Sequence, residues 1–241
     1  MPQPDDGLLQ TAKLWVDTVE EEKDGRAPLQ TVQAQNQAAA AAAAPPPPAA
    51  SLAIPPPPFS KVASWLPAAM DPERRVVLLD TDSSGGIEER TSSGNVYNPI
   101  EAALCIQLVK AYLACGVPPS RIALISPYRA QLKHLSSLLQ SFESSGSVEL
   151  LTIDQCQGRD FDAVILSMVR SNKKGEAGNL LNDARRINVA VSRAKRKLIL
   201  IGAPKTLCAS PFLRSFLQIA QLGMEDWSWL RLPPKAAELY Y

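Results

Sequence analysis

The chain has 241 residues, 46% of them hydrophobic, and a net charge of +1. That length allows one large domain or two small ones, and the apolar share supplies a core of useful size. Cys105, Cys115, Cys156 and Cys208 show no C-x-x-C spacing and His134 is the sole histidine, which argues against zinc, iron–sulfur and histidine-based nucleophilic chemistry.

Split by position, the charge becomes informative. Residues 1–72 carry four basic side chains against eight acidic ones, whereas residues 121–205 carry fourteen basic against seven acidic. A phosphate-facing surface in the second half would need that bias. No apolar run approaches the ~20 residues that a membrane span requires. The acidic, polar N-terminus does not read as a signal peptide, so the expectation is a soluble intracellular chain.

Residues 1–72 form the first compositional segment. An unbroken alanine run, Ala38 to Ala44, leads into Pro45–Pro48 and then a second proline block at Pro55–Pro58. Prolines remove amide donors and favour extended polyproline geometry, so this segment is expected to be a disordered or semi-rigid linker. A short helix over Leu8–Glu22 is compatible with the spacing of Leu9, Trp15, Val16 and Val19.

From Arg75 the pattern alternates between strands and helices. RVVLLD (75–80) reads as a buried strand, and NPIEAALCIQLVKAYLACG (98–116) as a helix capped by Asn98 and stopped by Gly116. RIALIS (121–126) is the next strand and RAQLKHLSSLLQ (129–140) an amphipathic helix. VELLTID (148–154) and FDAVILSMV (161–169) are strands joined by the polar turn QCQGR. NDARRINVAVSRA (182–194) reads as a helix, KLILIG (197–202) as a strand and PFLRSFLQIAQ (211–221) as a closing helix. Buried, non-alternating strands separated by helices predict an α/β domain, a mostly parallel sheet covered on both faces, over residues 73–222 with a tail at 223–241.

Ligands of such sheets sit at the carboxyl ends of the strands. SPYRAQ (126–131), TIDQCQGRD (152–160) and VRSNKKGE (169–176) gather hydroxyls, amides and cations there. Within 182–202, four arginines and two lysines face one aspartate. Arg186 and Arg193, two turns apart, are expected on one helix face, with Ile187 and Val191 anchoring a neighbouring stripe. Guanidiniums stay charged and suit bidentate phosphate contact. A salt-bridged surface helix is the bland alternative, weakened because Asp183 is the sole acid in the helix.

Three blocks, ALISPYRAQ (123–131), LLTIDQCQGRDFDAVILSMVRSN (150–172) and LLNDARRINVAVSRAKRKLILIG (180–202), resemble motifs IV, V and VI of superfamily 1 helicases. The likeness is to the Upf-like branch, which holds both the RNA helicases of nonsense-mediated decay and the DNA helicase/nucleases of replication. Gly-Arg-Asp at 158–160, Pro-Tyr-Arg at 127–129 and Val-Arg-Ser-Asn at 169–172 look closest to the helicase/nuclease side.

The resemblance implies a RecA-like second motor domain of an ATP-dependent DNA helicase acting in replication and repair. Arg193 matches the arginine finger reaching a γ-phosphate, Arg186 a supporting position, and Gln157, Gly158 and Asp160 the turn coupling nucleotide to nucleic acid. Glu101 joins Gly158, Asp160 and Arg193 as nucleotide-binding. Thr152, Ser126, Tyr128, Arg129 and Gln131 match positions facing single-stranded DNA. ATP and Mg²⁺ would be held mainly by a first RecA-like motor domain, because this chain has no G-x-x-x-x-G-K-[ST] loop and no Asp-Glu magnesium box. No metal site is expected here, and a fragment inactive in isolation follows. Nuclear residence, with the mitochondrion as a second compartment, also follows from the resemblance. The equivalent domain of an RNA helicase, and a non-catalytic nucleic-acid-binding module, are the alternatives.

Overall fold

The computed structural model describes residues 63–140, 146, 148–222 and 226–238. These belong to the second of two compact units, Pro55–Tyr241. The Ala/Pro segment and the helix expected over Leu8–Glu22 lie outside the described residues.

Helix α1 (Leu66–Met70) leads into β1 (Val76–Asp80). A short antiparallel hairpin follows, β2 (Glu89–Arg90) and β3 (Val96–Tyr97), then α2 (Pro99–Ala114), β4 (Ile122–Ile125), α3 (Arg129–Gln140), β5 (Glu149–Leu151) and β6 (Phe161–Ser167). The chain continues through α4 (Asn179–Asn182), α5 (Ala184–Val191), β7 (Ala194–Gly202), α6 (Pro204–Leu207), α7 (Pro211–Gln221) and β8 (Trp227–Arg231). Six strands form one parallel sheet in the order β5-β4-β6-β7-β1-β8. All carboxyl ends therefore share one edge, and the loops expected to carry chemistry are gathered there.

The strands are buried on both faces, as their unbroken apolar runs require. Val77, Leu79, Leu124, Ile165, Ile199 and Ile201 point into one core with Leu104 and Leu108 of α2. Their alternates, such as Leu78, Leu166 and Leu200, are equally buried and face the opposite layer. Helix α2 is buried almost all round: Ala103 and Leu113 are only half-buried, while Leu104, Cys105 and Leu108 are fully enclosed. Asn98 does cap it, accepting from Glu101 N at 3.1 Å, and Gly116 beyond its end has φ +80°.

Three features depart from the expected elements. The region expected as one helix over 182–194 is broken at Asp183, whose extended backbone (φ −83°, ψ 93°) caps α5 by accepting from Arg186 N at 3.2 Å. Residues 227–231, expected in a tail, form the edge strand β8, paired in parallel with β1 and packed by Trp227 against Phe216 of α7 at 5.1 Å. Lys197, one of the cations of the basic stretch, turns inward and donates to the carbonyls of Asp71 (2.8 Å) and Arg74. No described helix is long and apolar enough to cross a membrane.

Candidate nucleotide and single-strand site

A buried polar network ties α2 to the ends of β4 and β6. Glu101 is fully buried, and its Oε2 accepts from Ser167 Oγ at 2.7 Å and from Val169 N at 2.8 Å. Gln131, equally buried at the start of α3, accepts from Asn98 N at 2.7 Å and donates to Asn98 O and Ser167 Oγ, both at 3.1 Å. Ser126 Oγ donates to Ser167 O at 3.0 Å and accepts from Tyr128 N at 3.3 Å. Burial pushes the Glu101 carboxyl up to about 8, against the lowering effect of the Ser167 and Val169 donors.

Three residues of the expected contact set lie in this network. Glu101, Ser126 and Gln131 were expected to touch nucleotide or nucleic acid, yet each is 0% exposed with its polar atoms engaged inside the domain. They hold the loops that carry other residues. Val169 shows what that holding does. It is buried and has φ +71°, a left-handed conformation that is an outlier for a β-branched side chain and costs on the order of 1–3 kcal/mol. Asn98 grips its carbonyl at 3.1 Å while Glu101 grips its amide, so α2 enforces the reversal.

Beyond that reversal Arg170 points back across the sheet edge. Its Nε donates to Glu88 Oε2 at 2.7 Å, and its guanidinium hydrogen-bonds Tyr128. Glu88 also accepts from Ser171 N and Asn172 Nδ2, each at 3.1 Å. Arg170 falls in the VRSNKKGE segment marked in the sequence, whereas Glu88 was not picked out; a lone acid in a turn-rich stretch carries no local signal of a partner 82 residues away.

The basic segment is bound to the loop after β5 at two points. Arg186 Nε lies 3.3 Å from Asp154 Oδ1, and Arg193 Nη1 lies 3.1 Å from Asp160 Oδ1. Helix α5 ends at Val191, so Arg193 sits in the turn before β7 rather than on the helix face of Arg186. Its Nε donates to Val189 O at 3.0 Å and its Nη2 to Ser192 Oγ at 3.0 Å, which fixes the guanidinium plane. The bracketed loop contains Gln157 and Gly158, both exposed, and Gly158 has φ +75° with open space where a Cβ would be. Arg159 is committed elsewhere, to Glu149 at 2.7 Å and over the Phe161 ring at 5.3 Å.

An open cleft of about 1010 Å³ lies beside this loop. Tyr128, Arg129, Thr152 and Arg186 line it, and Lys133 and His134 of α3 extend it. The Thr152 hydroxyl donates to Gln155 Oε1 at 3.0 Å, and Gln155 also accepts from Thr152 N at 2.9 Å. Gln155 opens the polar turn QCQGR, and its i,i+3 spacing from Thr152 suits this contact. Cations, hydroxyls and aromatic rings along one open groove suit a polyanionic strand. No cluster of three or more His, Cys, Asp or Glu able to hold a metal exists among the described residues. Guanidinium donors such as those of Arg186 and Arg193 suit an anionic group.

A six-stranded parallel sheet flanked by helices, with guanidiniums at its carboxyl edge beside a basic cleft, has the RecA-like α/β architecture. The family described as AAA domain matches residues 29–205, and the chain belongs to that family. It is 45% identical over 153 residues to the DNA replication ATP-dependent helicase/nuclease DNA2 of Bos taurus, covering 64% of this chain and 14% of that protein. The Homo sapiens protein of the same name is 44% identical over 153 residues, covering 64% of this chain and 14% of its own length. The Saccharomyces cerevisiae one is 40% identical over 166 residues, covering 69% and 11%. The chain thus spans about a seventh or less of the curated relatives it matches.

Proposed function

We propose that this domain is the second motor domain of an ATP-dependent DNA helicase of replication, working opposite a first RecA-like domain that holds ATP and Mg²⁺. ATP, when bound at the junction, supplies the phosphoryl group whose transfer drives the motor. Arg193 stabilises the charge that builds on that group, exchanging Asp160 for phosphate oxygens, and Arg186 supports it from α5. Gln157 and Gly158 lie between the two ion pairs, so nucleotide state and strand grip are coupled through one loop. Tyr128, Arg129 and Thr152 contact single-stranded DNA along the cleft, with little sequence preference because backbone phosphates dominate the contact. The fully buried Glu101, Ser126 and Gln131 position those groups.

The observation that carries this reading is the double clamp, Arg186–Asp154 and Arg193–Asp160, which presents two guanidiniums on either side of a single loop. The 241-residue chain alone is expected to turn over no ATP, because its sequence has no phosphate-cradling G-x-x-x-x-G-K-[ST] loop. Replication of DNA as the workplace implies nuclear residence. The test is ATP hydrolysis and single-strand binding by a protein that joins this domain to a first motor domain. Arg193→Ala should abolish hydrolysis and spare DNA binding; loss of both would sink the assignment.

A further inference from the structure

The hairpin β2–β3 forms a wall of the cleft that the function above does not use. Its loop, Thr91 to Asn95, is closed by Thr91 N donating to Asn95 O at 2.8 Å and by Gly94 N donating to Thr91 O at 2.8 Å, with Gly94 at φ +82°. The hairpin is held to α3 at two points one helical turn apart. Gln131 engages the backbone of Asn98, accepting from its N at 2.7 Å, and His134 meets the ring of Tyr97 edge-on with centroids 5.3 Å apart. Residues i and i+3 of a helix share a face, so Gln131 fixes the register that brings His134 to Tyr97. The Tyr97 hydroxyl donates to Glu89 Oε2 at 2.6 Å across the hairpin, which pins the far end of the ring. Both rings are partly exposed and line the same cleft as Tyr128, Arg129 and Thr152.

We propose that the Tyr97–His134 pair is a base-stacking platform for single-stranded DNA, so that the cleft grips bases as well as backbone. This rests on the reading of the cleft as a single-strand site. A strand whose phosphates meet Arg129 and Lys133 turns its bases away from those cations, toward the aromatic wall. Every base has a π-face, so the platform adds affinity without sequence preference. A rigid wall matters here, because an aromatic pair already fixed by Gln131 and Glu89 loses little side-chain freedom when a base arrives.

Fluorescence anisotropy on the 241-residue chain tests it, with an oligothymidine of about 12 nucleotides, a length within single-strand site sizes, and an abasic backbone of equal length. The wild type should prefer the base-bearing strand on the order of tenfold. His134→Ala and Tyr97→Ala should each lose most of that preference while keeping affinity for the abasic strand, and Tyr97→Phe, which retains the ring but not its tie to Glu89, should keep most of it. Equal binding of both strands by the wild type, or full preference in His134→Ala, overturns the platform and leaves the single-strand reading standing. Absence of binding to either strand overturns the reading beneath it. Should Tyr97→Ala fail to fold by circular dichroism, His134→Ala and Tyr97→Phe decide the question.

Discussion

Arg193 and Asp160, thirty-three residues apart, meet at 3.1 Å, with the arginine side chain 17% exposed and the aspartate 49%. The guanidinium is thereby held in a fixed plane by three acceptors, Asp160, Val189 O and Ser192 Oγ, before any phosphate is present. With its aspartate end half exposed, the ion pair itself contributes little to stability, under about 1 kcal/mol.

Function and stability should therefore separate at this pair. Arg193→Ala in a protein carrying both motor domains should lower steady-state ATP hydrolysis by about 10³-fold or more. Its melting temperature should barely move, and a fall of many degrees would mean that Arg193 is structural instead.

Glu101 gives the domain a pH dependence of defined sign. Burial raises its folded pKa to about 8 from the ordinary 4.5, so its contribution is fully present below 4.5 and is lost as pH rises through 8. Urea unfolding should show stability falling across that window, by up to about 1.4 kcal/mol per pH unit. Glu101→Gln, still able to accept from Ser167 and Val169, should flatten that slope. Lys197, lowered to about 8 from 10.5, acts in the next window, where stability rises with pH.

The Glu88–Arg170 pair is buried, with side-chain exposures of 7% and 11%. Glu88→Ala strands the guanidinium and should cost about 3–5 kcal/mol in chemical denaturation. Gly178→Ala tests the same pair from the other side. A Cβ there would overlap the Arg170 guanidinium, and the backbone has φ +79°. That variant should lose at least ~1 kcal/mol.

Arg129 and Lys133 are exposed cations of the cleft. Replacing either with alanine should reduce the salt slope of DNA binding by about 1 and change stability by no more than ~0.5 kcal/mol. A slope equal to wild type in both variants would remove the strand from this cleft.

Much of the fold was legible because burial imposes period. Helices α3 and α7 fall on the residues their apolar spacing marks, 129–140 and 211–221, and β1, β4, β6 and β7 lie within or around the continuous apolar runs. The hairpin β2–β3 and strand β8 were not legible. The first has two residues per strand and a polar loop, and the second, WSWLR, has only Trp227 fully buried. Neither carries a run long enough to show a period.

The candidate site divides along the same line. Composition and local spacing alone determined that cations crowd 182–202, that an apolar strand follows, and that Asn98 caps a helix. Whether a given polar residue faces solvent was decided only by the tertiary structure, because it depends on which strand ends become neighbours. Ser126, Gln131 and Glu101 fell inward since β4, β6 and α2 meet there, and Arg186 and Arg193 found their acids in a loop brought over by the parallel crossover. A hydrogen bond between residues dozens of positions apart leaves no trace in local sequence, and it is these bonds that aim the arginines.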